Sequence, residues 1–204
     1  MAHMRPNALA PSLWRTFRVL ANEDRLRLLA AVCVSRRIAV TRAGRLTRLA
    51  ADKASLGLRA LQSRGLLAVT RESRWAYYEA RSDPSVEHAD AVLSAARRAI
   101  SRGDDVKAMA KAFTAFTHPR RLLLVSAMAR QPMTVEEAAG VCRISIPAAI
   151  RHLRKLVRRG LLTCDENGVH TLSDAPDPLL RDLATIVLGT PRKRDTRSFT
   201  LSKV

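Results

Sequence analysis

The stretch Ala54-Ser-Leu-Gly-Leu-Arg-Ala-Leu-Gln-Ser-Arg-Gly-Leu-Leu67 recurs as Ala149-Ile-Arg-His-Leu-Arg-Lys-Leu-Val-Arg-Arg-Gly-Leu-Leu162, with 8 of 14 positions identical at an offset of 95. Upstream, Phe17-Arg-Val-Leu-Ala-Asn-Glu-Asp-Arg-Leu-Arg-Leu-Leu29 lines up with Phe113-Thr-Ala-Phe-Thr-His-Pro-Arg-Arg-Leu-Leu-Leu-Val125 at an offset of 96. Four positions agree there, among them Arg25-Leu26 and Arg121-Leu122. Two blocks in one order at nearly one offset predict two copies of a small domain, because this period is too long for a solenoid unit.

Pattern gives the elements of each copy. In the first, Leu13, Phe17, Leu20 and Ala21 recur at helical spacing. Asn22 is placed to cap a second helix, with Glu23 and Asp24 in its first turn, where the helix dipole favours acids. That helix is expected to run to Val34, followed by short helices over Ala43–Leu49 and Lys53–Ser63, with Gly65 as terminator. Leu66–Thr70 and Trp75–Tyr78 are rich in strand formers and flank polar residues, which predicts a hairpin. Asp83-Pro84 is expected to open a long helix to Arg102. In the second copy His118-Pro119 opens a helix, Thr134 caps another over Val135–Val141, and Ser145 caps a third that ends at Gly160. Leu161–Cys164 and Val169–Leu172 form a shorter hairpin, and Asp177-Pro178 opens a last helix to Leu188. Helices followed by a two-stranded ribbon spell a winged helix-turn-helix, mainly α with small β-hairpin wings, present twice. The predicted division is a cloning scar over 1–4, one domain over 5–103, a second over 104–189, and a basic flexible tail over 190–204.

The chain of 204 residues carries 36 Lys and Arg against 18 Asp and Glu, a net charge of +18. Residues 1–100 hold 18 cations and 8 anions; residues 101–204 hold 18 and 10, so both halves are basic bodies. Such a field captures polyanions. A hydrophobic fraction of 47% supports a packed core. No apolar run approaches the roughly 18 residues of a membrane span. Cys33, Cys142 and Cys164 are too few and too far apart for a disulfide framework and point to a reducing cytoplasm.

Leu20-Ala-Asn-Glu-Asp-Arg-Leu-Arg-Leu-Leu29 resembles the L-A-D-P-x-R-L-x-I-L helix of ArsR/SmtB-type bacterial regulators. Leu58-Arg-Ala-Leu-Gln-Ser-Arg-Gly-Leu-Leu67 with Arg74-Trp-Ala-Tyr-Tyr78 is similar to that family's H-L-x-x-L-x-x-A-G-L-V … G-R-x-x-Y-Y, and Thr117–Leu122 with His152–Leu162 repeats the likeness. The family works as a homodimer of one-domain chains. The resemblance therefore implies an intramolecular pseudo-dimer here, with helices near 8–20, 84–102, 105–116 and 178–188 at the seam. It implies two recognition helices about 34 Å apart, an imperfect palindromic operator in double-stranded DNA, and repression.

The family pattern places Asp52, Lys53, Ser55, Leu56 and Arg59 on or beside the reading face of the first copy, and Ser145, Ile146, Pro147, Ala148, Arg151 and His152 on that of the second, with Arg154 and Lys155 nearby. Lys and Arg can reach guanine edges or phosphate. Arg71, Ser73 and Arg74 of the first wing suit phosphate or a narrow minor groove. Asp165 and Glu166 of the second wing repel phosphate, so the second copy reads either by its helix alone or serves in pairing. Arg25 and Arg121 are expected to be structural or phosphate-facing, and Trp75 and Tyr78 to pack the wing core. The three cysteines are expected as small apolar residues. No Cys-x-Cys is present, and His88 with Glu87 and Asp90 lacks a closing ligand, so no metal or other cofactor is expected. No phosphate loop, His-Glu-x-x-His or nucleophile elbow occurs, and no enzyme or catalytic residue is expected. The alternative reading is a protein-interaction module, or a metal- or thiol-sensing one, with degenerate base reading in the second domain. Whether pseudo-dimers self-associate stays open.

Overall fold

A computed structural model describes residues 12–174 and 177–189; the expected tail and the first four residues lie outside the described residues. Helix α1 (Leu13–Leu20) leads to α2 (Glu23–Ser35), whose N-cap Asn22 accepts the Arg25 N–H at 3.0 Å. Glu23 and Asp24 lie in its first turn and both pair with Arg27. Strand β1 (Arg37–Ala39) follows, then α3 (Val40–Thr47) and α4 (Ala51–Gln62). Strand β1 was not foreseen, and α3 begins three residues ahead of the expected Ala43. Strands β2 (Ala68–Glu72) and β3 (Trp75–Glu79) make the hairpin, with β1 on the outer edge of β3, so that Ile38 and Val69 both face Tyr78 in register.

Helix α5 (Ala89–Arg102) starts five residues after Pro84. Asp83 accepts the N–H and the hydroxyl of Ser85 at 2.9 and 2.7 Å, so it closes a turn instead of capping a helix, and His88 at φ +64° breaks the helical path. Helix α6 (Val106–Phe113) and a single 3-10 turn, Thr114–Phe116, precede α7 (Pro119–Met128), which His118 caps by accepting the Arg120 N–H at its Nδ1. Thr134 and Glu137 form a reciprocal capping box on α8 (Val135–Cys142). Helix α9 (Ile146–Arg158) starts at the expected place, but the Ser145 side chain makes no capping bond. Strands β4 (Leu162–Cys164) and β5 (His170–Leu172) pair, Met133 adds one bridge to His170, and α10 (Pro178–Leu188) is capped by Asp177.

Several devices recur at the offsets found in the sequence. Arg25 Nε donates to the Val19 carbonyl at 2.6 Å, and Arg121 Nε donates to the Ala115 carbonyl at the same distance. Arg48 and Arg143 both end a helix in the left-handed region, at φ +57° and +51°. The Leu49 N–H then reaches back to the Gly44 carbonyl at 2.9 Å, and the Ile144 N–H to that of Ala139 at 3.0 Å. This tight reversal satisfies helix-end carbonyls and aims α4 and α9 across their preceding helices.

One apolar core runs through the chain. Helix α1 packs on α6 and the 3-10 turn, α2 also reaches α6, and α5 lies against α10. Phe17 stands 6.1 Å from Phe113 and 5.4 Å from Phe116, ring centre to ring centre, and all three are fully buried. Arg98 donates twice to Asp182 Oδ2, at 3.1 and 2.9 Å, between α5 and α10. Truncating Phe17 to Ala is expected to lower stability by about 3–5 kcal/mol, as for other buried aromatics. Urea unfolding of the variant checks this, and a midpoint near that of the wild type would show that the cluster carries little.

Candidate nucleic-acid interface

Helix α4 buries Ala54, Gly57, Leu58 and Leu61 and turns the opposite side to solvent. On that side Lys53 and Arg59 are exposed, Ser55 is half-buried, and Leu56 is 62% exposed. The exposed Asp52 lies in the first turn, where its charge suits the helix dipole. The hairpin β2–β3 carries Arg71, Ser73 and Arg74, all exposed, with Ser73 at φ +54° in its turn. Tyr78 is buried as expected of a wing core. Trp75 is not: it is 44% exposed, with the Arg74 guanidinium 5.5 Å above its ring. Arg37 of β1 lies 4.2 Å over the Tyr77 ring and pairs with Glu72 of β2.

Helix α9 buries Ala148, Ala149, His152, Leu153 and Leu156 along one stripe. Ser145, Ile146, Pro147, Arg151 and Arg154 stay exposed, and Lys155 is half-buried. Two residues assigned to the reading face therefore belong elsewhere: Ala148 and His152 are 4% and 5% exposed. His152 faces His118, the cap of α7, with ring centres 4.5 Å apart, and its Nε2 has no hydrogen-bond partner. Burial first, then His118, Arg121, Arg151 and Arg120, push its pKa down to about 4, so it is neutral at pH 7. Burial and the arginines around it also lower His118, and burial with Arg121, Arg159 and Arg158 lowers Lys155.

Arg25 and Arg121 hold carbonyls of the preceding turn; Arg25 stays half-buried, whereas Arg121 is 7% exposed and also bonds Thr114 and Thr117. Arg48 and Arg143, which the sequence reading left out, are exposed just ahead of α4 and α9. Both stand six residues ahead of the repeated blocks, at the same offset of 95, which was the signal available for them. In the second hairpin Asp165 Oδ1 accepts the N–H groups of Asn167 and Val169, at 3.0 and 2.8 Å, so this acid builds the turn that Glu166 shares.

Cys33 and Cys142 are half-buried, and burial raises both thiols, which keeps them protonated. Cys164 is exposed, contrary to the apolar role expected for it. His88 Nε2 sits 3.3 Å from Glu87, while Asp90 accepts the Ser82 hydroxyl instead of turning to His88. Among the described residues no three His, Cys, Asp or Glu side chains gather as a metal site, and no helix is long and apolar enough to cross a membrane.

Residues 118–163, which run from the cap of α7 into β4, match the family model described as bacterial regulatory protein, arsR family. This supports an arsR-type helix-turn-helix in that segment and, with it, DNA-binding transcriptional regulation. No curated protein and no solved structure matches the chain.

The His152 site predicts a pH dependence. The unfolded side chain takes a proton near pH 6.5, whereas the folded one resists until about pH 4. Stability should therefore fall as pH drops between those values, by at most about 3 kcal/mol from this group. The urea midpoint of the wild type should drop more steeply from pH 7 to pH 4.5 than that of His152→Leu. Parallel slopes would place the folded pKa near its ordinary value.

Proposed function

We propose that this protein is a sequence-specific regulator of transcription, a repressor, in which two winged helix-turn-helix units over 5–103 and 104–189 form an intramolecular pseudo-dimer on double-stranded DNA. The observation that carries this reading is the paired reversal at Arg48-Leu49 and Arg143-Ile144, each leading into a helix with exposed cations. A tight turn followed by a half-buried helix is what a major groove accepts. The pairing of helices supports the pseudo-dimer. Phe17 and Phe113 are equivalent in the duplicated blocks and touch each other, and so do α5 and α10, which close the two units. Contacts between equivalent parts are the mark of a two-fold arrangement.

The two units read differently. The first offers Lys53, Ser55 and Arg59 from its helix and Arg71, Ser73 and Arg74 from its wing. The second offers Ser145, Arg151, Arg154 and Lys155 from its helix, and an acidic wing turn. An imperfect palindrome is the operator that such a pair fits. A protein-contact role for the second unit is favoured by one observation, the exposed Ile146-Pro147 start of α9. The partner under the main reading is duplex DNA in the cytoplasm, with no metal and no catalytic group, and pseudo-dimers remain free to associate further.

Genomic fragments selected by the protein should bind far more tightly than random DNA, with affinity falling steeply as salt rises. Lys53→Ala and Arg59→Ala should each weaken the selected complex by about 1–3 kcal/mol if they meet bases, while an affinity unchanged in both would remove α4 as the reader. Arg151→Ala applies the same measurement to α9, and no loss there would favour the protein-contact role.

A further inference from the structure

Between α9 and the hairpin β4–β5 lies a cavity of about 650 Å³, in the range of small-molecule sites. Ile150, Leu153 and Val157 of α9 and Val135 of α8 line it, the hairpin contributes Cys164, Gly168 and His170, Arg154 and Arg158 stand at its wall, and it is open to solvent. The first unit is built differently at the same place. At the offset of 95, Ile150 and Val157 correspond to Ser55 and Gln62, and Arg158 to Ser63. In the register of the hairpins, His170 opposite Cys164 takes the place of Tyr78 opposite Val69. The second unit thus has extra apolar surface on its helix, a smaller ring on its hairpin, and an added cation.

Ile150 and Val157 are only half-buried: Val157 packs partly against the core, and both line a space that the fold leaves open. Arg154 and Arg158 are one helical turn apart and exposed, and among the described residues neither pairs with an acid. Of the two acids in the hairpin turn, Asp165 is held by backbone N–H groups of its own turn, and Glu166 is exposed without pairing to either arginine. An apolar cavity with two unpaired guanidinium groups on one wall suits a ligand with an apolar body and one negative end. Guanidinium groups also bind carboxylates in a two-pronged geometry, which gives selectivity for them.

We propose that this cavity binds an apolar carboxylate with a medium-length acyl chain, the carboxylate at Arg154 and Arg158 and the chain against Ile150, Leu153 and Val157. Its regulatory consequence rests on the proposed DNA reading: Arg154 serves both ligands, so occupancy withdraws a cation from the duplex and loosens the second unit's hold.

The test uses the full chain with methyl-labelled Ile, Leu and Val. Decanoate should give saturable shifts in the Ile150, Leu153 and Val157 methyls with one site per chain. Decanol should bind at least tenfold more weakly. The double variant Arg154→Gln, Arg158→Gln should erase that preference, and Val157→Gln, which installs the first unit's residue at a half-buried position, should reduce decanoate affinity at least tenfold. No saturable shift at these methyls, or equal binding of decanol and decanoate, overturns the site. DNA affinity is measured on the same samples. Saturating decanoate should weaken the selected complex severalfold, and tight decanoate binding with an unchanged complex overturns the coupling. Decanoate shifts without any DNA binding would retain the cavity and reject the reading of the chain as a DNA regulator.

Discussion

The contact of Phe17 with Phe113 and Phe116 fixes how the two halves of this chain meet. All three rings are fully buried, in a chain where only 4% of residues are aromatic. Apolar burial of this size sets the position of α1 against α6, and the ring geometry limits how they can slide. Everything that faces outward is then placed by short connections. Asn22 and His118 start the next helices two residues past α1 and the 3-10 turn, and Arg25 and Arg121 reach back to carbonyls of the preceding turn. A guanidinium on a helix-end carbonyl satisfies an acceptor that would otherwise be buried without a partner. The two arginines therefore lock the angle between consecutive helices, and do so at equivalent places.

The outer architecture follows from a second constraint, the left-handed residue after α3 and after α8. Glycine is the usual choice at such a site, yet arginine occupies both positions. The conformational cost for a non-glycine residue is of order 1–3 kcal/mol. Carrying that cost twice keeps an exposed cation immediately ahead of each of the helices α4 and α9. On the proposed reading, this cation lies beside the phosphate backbone as the helix enters the groove.

Most of the element order was legible because the apolar spacing of each helix agrees with its caps: Asn22, Thr134, His118-Pro119 and Asp177-Pro178 all mark helix starts in the structure. The misplaced start of α5 shows the limit. Asp83-Pro84 has the composition of a helix start, but the same aspartate also closes a turn around Ser85, and local sequence does not rank these two uses. Strand β1 was hidden because three residues carry little periodicity and gain their partner only when β3 comes alongside. The exposed cations of α4 were legible only through the family resemblance, and those of the first wing from the polar residues between its two strands. His152 was not: the family pattern put it on the reading face, whereas the structure buries it against His118, at the position where Gly57 is buried in the first half.

The same position separates the two halves in physical terms. Gly57 corresponds to His152, and a methyl group on Gly57 would come within 2.4 Å of Leu28 Cδ1. In the first half the Leu28 side chain of α2 therefore packs directly on the α4 backbone at Gly57, and the opposite face of α4 carries Lys53 and Arg59. In the second half a buried imidazole lies between α7 and α9, its ring tilted against that of the residue that caps α7, with centres 4.5 Å apart. That ring must stay neutral, since burial and three surrounding arginines all oppose its charge. The N-terminal end of α7 carries Arg120, exposed, and no acid, where the matching end of α2 holds Glu23 and Asp24 paired to Arg27. The charge of the hairpins runs the other way, basic in the first half and acidic at the turn in the second. The two halves share a backbone plan but distribute charge in opposite senses between helix end and hairpin, so a polyanion lying across both would be gripped at different points by each.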